Sequence, residues 1–333
     1  MRIAVASHAT IDHIVRSMRK GLGRDCYDYS ITSSPSSEVM EDEEEVITVG
    51  GPVCYAGLMV SRLGNNIIPV TRVGSDFRGY ADMLSSRYGM NIPSQAFCDL
   101  PTTKFRLVIK EYDSRQRRSL YLLARCADIT LDILDQEGFD ACIASPVMDE
   151  ISIDTIMALA KRSNFTFLDP QGLLRRVDGV DGHISLKGRD LDLDLNLNLN
   201  KLMVDVMKVD LDEAYALTGV YGLDSLDRVG KYSKTAAVLS MDNRVFMYSK
   251  DRDRVYELTT DIVSSRDSTG AGDIFAGAYT SAYMSSRDAV WALAYGVAAA
   301  CIALSSGRIG LDKIPSKRDV EDHAYILLER VKH

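Results

Sequence analysis

The residues with the most chemistry in them form one stretch, Asp267-Ser268-Thr269-Gly270-Ala271-Gly272-Asp273-Ile274-Phe275. Two glycines flank an alanine, an acid follows, and an apolar helical pattern runs on to Met284. A turn of this kind leaves backbone N–H groups unpaired at the first turn of a helix. The helix dipole adds partial positive charge there, which favours an anion, and glycine lets the backbone come close to a ligand. Asp273 at the helix start is electrostatically unfavourable beside an anion unless it has a task. Taking a proton from a hydroxyl about to attack a phosphoryl group is such a task. On this reading Asp273 is the general base, and the N–H groups of Gly270, Ala271 and Gly272 line an anion hole. Thr269 hydrogen-bonds the phosphates. The plainer alternative is a glycine turn followed by a helix with an acid near its N-terminus.

The elements around this stretch read as alternating strands and helices. Arg2–Ser7 reads as a buried strand, with His8–Asp12 a loop at its carboxyl end. Ligands of open α/β sheets sit beyond the carboxyl ends of strands, so Asp12 is a substrate candidate or a turn residue. Tyr27–Thr32 and Ile47–Val49 alternate as strands, and the acidic run Glu41–Glu45 between them reads as a solvated loop. Gly50-Gly51-Pro52 opens a helix over Val53–Leu63, which Gly64 stops before a strand at Ile67–Val73 and a helix at Tyr80–Tyr88. Thr102–Leu123 alternates as a hairpin with a basic tip, Asp113–Arg118, and Arg125 follows where it rejoins the body. A strand at Ala141–Ser145, a helix at Asp149–Arg162 and a strand at Thr166–Asp169 come next, with Gln171 just past that strand's end. Leu191–Leu202 alternates strictly, but its Asp and Asn content suits strands poorly; a lid-side or edge segment is expected, and no function is read from it. Strands at Val204–Val209 and Ala236–Ser240, a helix at Glu213–Leu217 and a hairpin over Val245–Tyr248 and Val255–Thr259 complete the approach to the glycine turn.

Composition sets outer limits. The 333 residues are 46% hydrophobic and 26% charged, ordinary for a globular chain, and the net charge of −8 argues against nucleic acid or an anionic membrane as partner. Six scattered cysteines without a C-x-x-C suggest a reducing cytoplasm, no disulfides and no zinc. The opening MRIAVASHATID turns polar too soon for a signal peptide. The longest apolar run, Ala289–Leu304, falls short of the roughly 20 residues of a membrane span and reads as a buried helix packed on a sheet. No G-x-x-x-x-G-K-[ST] occurs, so a phosphate cradle here is not a P-loop. No H-E-x-x-H or cluster among the five histidines suggests a metalloenzyme.

Thr269-Gly270-Ala271-Gly272-Asp273 and its helix resemble the second signature of the PfkB (ribokinase-like) carbohydrate kinases. More than 200 residues earlier, Gly50-Gly51, Tyr55-Ala56, Arg62-Leu63-Gly64 and Val73–Asp76 resemble that family's N-terminal half. Asp169-Pro170-Gln171-Gly172 is similar to the archaeal myo-inositol kinase branch, where Tyr55 stands in place of the sugar-reading Asn of ribokinase-like members. The resemblance implies a three-layer α/β/α fold with a mostly parallel central sheet. It implies one kinase domain over residues 1–333, with a small β lid from about 27–49 and 102–123. It implies an ATP-dependent kinase acting on a hydroxyl of a small sugar or polyol, myo-inositol-like favoured, in the cytoplasm. Asp12, Gly50, Gly51, Gln171 and Arg125 would then face the substrate. The family's N-x-x-E pattern falls on Asp210 and Glu213, which would hold Mg²⁺ through water; Asp210 also reads as a helix cap. Ser240 and Asp242 stand where the family carries T-x-G-x-x-G beneath the nucleotide, so that contact is altered. Lid strands pair between subunits in the family, which implies a possible homodimer. Two other readings stay open: a nucleoside kinase with lid aromatics such as Tyr27, Tyr29, Phe105 or Tyr121 for stacking, and a non-catalytic sugar- or nucleotide-binding regulator.

Overall fold

The structure is a computed structural model describing residues 1–19, 41–112, 115–133, 138–187, 202–261, 265 and 267–333. In chain order its first strands are β1 (Arg2–Ala6), β2 (Thr10–Arg19), β3 (Glu41–Gly50), β4 (Asn66–Val70), β5 (Val73–Gly74) and β6 (Phe97–Cys98). Then come β7 (Thr103–Tyr112), β8 (Arg115–Ala124), β9 (Ala141–Ala144), β10 (Thr166–Leu168), β11 (Arg175–Asp178) and β12 (His183–Leu186). The last are β13 (Val204–Asp210), β14 (Ser233–Met241), β15 (Arg244–Ser249) and β16 (Arg254–Thr259).

Eight strands form the central sheet in the order β16-β15-β14-β13-β10-β9-β1-β4. β4 through β14 in that row run parallel, and β15 and β16 are antiparallel additions at one edge. Alternate residues of a strand face opposite sides of a sheet. Accordingly Ile3 and Val5 of β1 enter one apolar core, and Ala4 and Ala6 enter the other. Helices Pro52–Arg62, Ala271–Ser286 and Ala289–Ser305 contribute to the first core, and helices Ile153–Lys161 and Leu211–Thr218 to the second. The result is the expected three-layer sandwich with a mostly parallel sheet. No helix among the described residues is long and apolar enough to cross a membrane.

A second sheet of six strands, β11-β12-β8-β7-β2-β3, stands at the carboxyl side of the first. It departs from the sequence reading in several places. His8–Asp12 is not a loop: β2 starts at Thr10, so Asp12 lies on a strand, paired with Thr48 of β3 and Phe105 of β7. The acidic run is not a solvated loop either, because Glu41–Glu45 pairs along β2, with Arg16 opposite Glu44. Its strand is at the sheet's edge, and charge there discourages pairing with another chain. Arg115–Arg118 belongs to β8 rather than to a hairpin tip. β11 and β12 were not legible as strands, and they extend the sheet beside β8. Tyr27–Thr32 and nearly all of Leu191–Leu202 lie outside the described residues.

Local rules account for the helix ends. Asp288 caps Ala289–Ser305 by accepting from the N–H groups of Val290 and Trp291 at 2.8 and 3.2 Å. This apolar helix packs mainly on the helix Ala271–Ser286 and reaches the central sheet at β15. A Cβ at Gly296 would meet the Phe275 ring at 2.8 Å, so the small residue sets the helix spacing. The helix Ile153–Lys161 starts later than the expected Asp149, behind the Ser152 cap, because Glu150 is drawn into the core. The Glu150 carboxylate accepts from the N–H groups of His8, Val147 and Met148 and shapes the loop after β9.

Gly277, on the helix that begins at the glycine turn, is where that helix meets Pro52–Arg62; a Cβ there would lie 2.7 Å from the Ala56 carbonyl oxygen. Overpacking of this kind costs about 1–3 kcal/mol. Gly277→Val is expected to lower the urea midpoint accordingly with an unchanged m-value, which equilibrium unfolding followed by circular dichroism measures.

Candidate active site

The glycine turn is shaped from beneath. Gly270 has φ 76°, and a Cβ there would also run into the Tyr55 ring at 2.4 Å, so glycine is required on two counts. The helix begins at Ala271. Its Ala271 N–H reaches the Ser268 carbonyl at 3.3 Å, and the Ile274 N–H reaches the Gly270 carbonyl at 2.9 Å. The N–H groups of Gly270 and Gly272 have no backbone acceptor among the described residues. Of the three amides expected to form an anion hole, Ala271 is thus partly engaged inside the turn and the two glycines are open.

Asp273 is 8% exposed, and that exposure is into a cleft of about 230 Å³. Burial first, and then the charge of Asp169, pushes its carboxyl up to about 7, against the pull of Lys208 and Arg175. Asp12 faces the same cleft from β2 and accepts from the Thr10 hydroxyl at 2.8 Å. Burial pushes its carboxyl up to about 6. A Cβ at Gly50 would lie 1.9 Å from Asp12 Oδ2, so the glycine makes room for that carboxylate. Gly51, with φ 84°, lines the cleft as the entry to the helix Pro52–Arg62.

A second cluster adjoins the helix start. Lys208 Nζ pairs with Asp169 Oδ2 at 2.7 Å and sits 3.1 Å from where a Gly272 Cβ would be. Burial works against the Lys208 ammonium, but Asp169 and Glu213 more than offset that and raise it above the ordinary lysine value. Asp210 and Glu213 form a reciprocal capping box: Asp210 Oδ1 accepts the Glu213 N–H and Glu213 Oε2 accepts the Asp210 N–H, both at 2.8 Å. The cap reading of Asp210 is therefore realised. Burial and the charges of Asp169 and Asp210 push the Glu213 carboxyl well above its usual range. Among the described residues no group of three or more acidic, histidine or cysteine side chains could cage a metal. The remaining carboxylate oxygens of Asp210 and Glu213 suit an ion that keeps most of its waters, as Mg²⁺ does.

One cleft thus collects Asp12, Gly51, Gln171, Thr269, Gly270 and Asp273 from elements far apart in the chain. Of the other expected residues, Gly50, Ala271, Gly272, Asp210 and Glu213 lie behind or beside it, and Arg125, Ser240 and Asp242 do not line it. Arg125 turns away, donating to the carbonyls of Met148 and Asp149 and pairing with Asp128, since these oxygens lie beside its own strand end. Ser240 lies opposite Asp210 in the β13–β14 ladder, and Asp242 occupies the following turn with φ 47°. Arg175, unlike Arg125, lines the cleft. It donates to Gln171 Oε1 at 2.7 Å and to the Val147 carbonyl at 2.9 Å, and it faces Asp273 and Asp12. Gln171 in turn donates to the Ser145 hydroxyl at 3.3 Å. The sequence reading misses Arg175 and Lys208; the signal that could have pointed to them is spacing, Arg175 standing one helical turn after Gln171 and Lys208 two before Asp210 on the same face of a strand.

Residues 193–315, which contain this turn and the Lys208–Glu213 cluster, match the family described as pfkB family carbohydrate kinase. No curated protein sequence matches the chain. Among solved structures, a pyrophosphate-dependent kinase in the ribokinase family, complexed with a pyrophosphate analog and myo-inositol, is 18% identical with a TM-score of 0.68, over 96% of this chain and 99% of that one. The fold is ribokinase-like. Ribokinase from Arabidopsis thaliana, complexed with ribose and ATP, is 15% identical with a TM-score of 0.66, over 97% and 98% of the two chains. A nucleoside kinase from Methanocaldococcus jannaschii is 17% identical with a TM-score of 0.61, over 98% of each. The family match and the ribokinase-like fold indicate a carbohydrate kinase, a phosphotransferase acting on hydroxyl groups.

Removing one partner of a buried ion pair costs about 3–5 kcal/mol because the other charge is left uncompensated. Asp169→Asn is expected to destabilise the protein on that scale, and the double variant Asp169→Asn/Lys208→Met to recover most of the loss. Urea unfolding of the two variants checks this.

Proposed function

We propose that this protein transfers a phosphoryl group from ATP to a hydroxyl of a small polyol, with a myo-inositol-like ring as the favoured acceptor. The observation that carries the proposal is the buried Asp273 carboxylate facing the cleft at the start of a helix whose Gly270 and Gly272 amides are open. A base must lie near neutrality to accept a hydroxyl proton and still be ionised, and burial brings Asp273 there. The amides, the helix dipole and Lys208 concentrate positive potential where the transferred group would gain charge. Thr269 adds a hydroxyl on the phosphate side.

Acceptor recognition is assigned to Asp12, Gln171 and Arg175, with Gly50 and Gly51 letting Asp12 approach. Thr10 donates to Asp12, Gln171 donates to the Ser145 hydroxyl and Arg175 donates to the Val147 carbonyl, which holds these polar groups in place. Phe105, Leu107, Leu120 and Val147 supply apolar walls. At about 230 Å³ the cleft is smaller than the roughly 300–1,000 Å³ of pockets for drug-sized ligands, which favours a polyol over a nucleoside. The six-stranded sheet acts as a lid that keeps water, a competing acceptor, from the reaction. The single unit over residues 1–333 and a homodimer through the lid, in a reducing cytoplasm, belong to the same proposal.

Mg²⁺ bound beside the phosphates would neutralise their charge, with Glu213 and Asp210 holding its waters. ATP is the donor proposed, and pyrophosphate is to be assayed beside it for a specific reason. At Ser240–Arg244 the chain makes a tight turn through Asp242 and Asn243 in place of a glycine-rich loop.

Asp273→Asn is expected to keep the fold and lower kcat by roughly 10²–10⁴, the size of a general-base contribution; a folded variant with normal kcat removes the assignment. The ionised base is required, and its carboxyl is raised to about 7 rather than the ordinary 4. Hence kcat/KM should rise with pH up to about 7 and level off above it. A rate already flat from pH 5 upward would contradict Asp273 as the titrating group. Phosphate-release assays with myo-inositol, ribose and adenosine, each with ATP and with pyrophosphate, test the acceptor and donor together.

A further inference from the structure

Lys313 is unlike the other cations near the cleft. It comes from the short helical turn Gly310–Lys313, yet its ammonium lies under the glycine turn more than forty residues earlier. Lysine is almost never fully buried unless paired, and the Lys313 and Asp267 side chains are 1% and 0% exposed. Nζ is 2.8 Å from Asp267 Oδ2 and 3.2 Å from the Asp267 carbonyl oxygen, and it also donates to the Thr269 carbonyl oxygen. An ammonium has three N–H donors and no acceptor, and here each donor meets one oxygen. The remaining side is covered by the Tyr55 ring, whose centroid is 5.1 Å away, a favourable face for a cation.

This is the environment of a small monovalent cation: main-chain carbonyls, one carboxylate and an aromatic face. The same carboxylate also accepts the Thr269 N–H at 2.9 Å and the Gly310 N–H at 3.0 Å. Every polar atom of the cage belongs to the Asp267–Gly270 loop or to the turn that carries Lys313. The loop continues directly into the open amides of Gly270 and Gly272. Burial alone would raise the Asp267 carboxyl, but Lys313 and these N–H groups hold it below its ordinary value.

We infer that the Lys313 ammonium is a tethered monovalent cation that sets the Asp267–Gly270 loop in its anion-binding shape, so that the protein needs no dissolved alkali ion and removal of the side chain creates a site for one. The inference deepens the kinase reading and takes Lys313 as a positioning residue that acts through the loop. Lys313 also borders an open cleft lined by Arg62, Arg308, Ile314 and Asp319.

The test uses the full-length protein and its Lys313→Ala variant in Tris or choline buffers free of alkali ions. Thermal unfolding is read first, because it requires no turnover. Adding KCl or methylammonium chloride should raise the variant's melting temperature saturably, as a ligand of the folded state does, and tetramethylammonium, too large for the cage, should not. The wild-type melting temperature should not respond selectively. Turnover is read second. Wild-type kcat should be the same in choline as in potassium. Variant kcat should fall on the order of 10²-fold, the scale of an ångström-sized misplacement of a reacting group, with acceptor KM less affected, and K⁺ or methylammonium should restore it. A variant that folds but is stabilised by no small cation overturns the inference, as does a wild-type rate that depends on potassium. Lys313→Met provides the same test if Lys313→Ala does not fold. Absence of turnover with every acceptor would count against the kinase reading alone, since the melting arm decides the cage by itself.

Discussion

Removing carboxylates from water is the constraint around which this molecule is arranged. Asp169, Glu213, Asp267 and Asp273 are buried at the carboxyl ends of parallel strands or beside the glycine turn, and Asp12 is buried near the start of β2. Isolated, each would be strongly disfavoured in an apolar interior. Lys208, Arg175 and Lys313 are set among them, and the compensation is uneven by design of position. Asp169 and Asp267 each have an ammonium within 2.8 Å. Asp273 has no such partner at contact distance among the described residues and feels the cations only at longer range. That difference separates the two carboxylates held by an ammonium from Asp12, Glu213 and Asp273, whose carboxyls burial pushes toward taking up a proton.

The two sheets divide the work. The central sheet is rigid and doubly covered, and it delivers Asp169, Lys208 and the glycine turn from strand ends and a helix start. The six-stranded sheet has one face on the cleft and contributes Asp12, Phe105, Leu107 and Leu120. The cleft therefore forms where a well-packed layer meets a sheet of lower burial. Elements of lower burial are the ones that open most easily, which suits a wall that must admit and release a small molecule.

The glycine turn joins these layers mechanically. Tyr55 from the first helix lies beneath Gly270, Lys313 lies against Tyr55, and Asp267 is clasped by the Gly310–Lys313 turn. A displacement of the helix Pro52–Arg62 or of the C-terminal turn would thus reach the amides at the start of Ala271–Ser286. Gly277 at the crossing with Ala56 ties the same two helices together farther along. The loop is held by packing and ion pairing from several distant parts of the chain, not by its own sequence.

Much was legible in the amino-acid order because it depends on local rules. Apolar alternation and 3.6-residue periodicity marked most central strands and the helices, and the T-G-A-G-D string marked the turn, since φ > 0 at Gly270 and open N–H groups are properties of a few consecutive residues. Asp12, Gln171 and Asp273 were identifiable as polar residues at element ends. What local rules could not decide was pairing. The acidic Glu41–Glu45 run looks like a loop until β2 supplies its ladder, and Arg175–Asp178 looks like nothing until β12 lies beside it. Arg125 and Arg175 are equivalent as letters; only the folded chain turns one toward its own carbonyls and the other toward the cleft. Lys313 carries no signal in its neighbourhood, because its meaning comes from oxygens more than forty positions away. Local backbone preference is written in short stretches of sequence, whereas desolvation and long-range ion pairing exist only once distant segments share the same few ångströms.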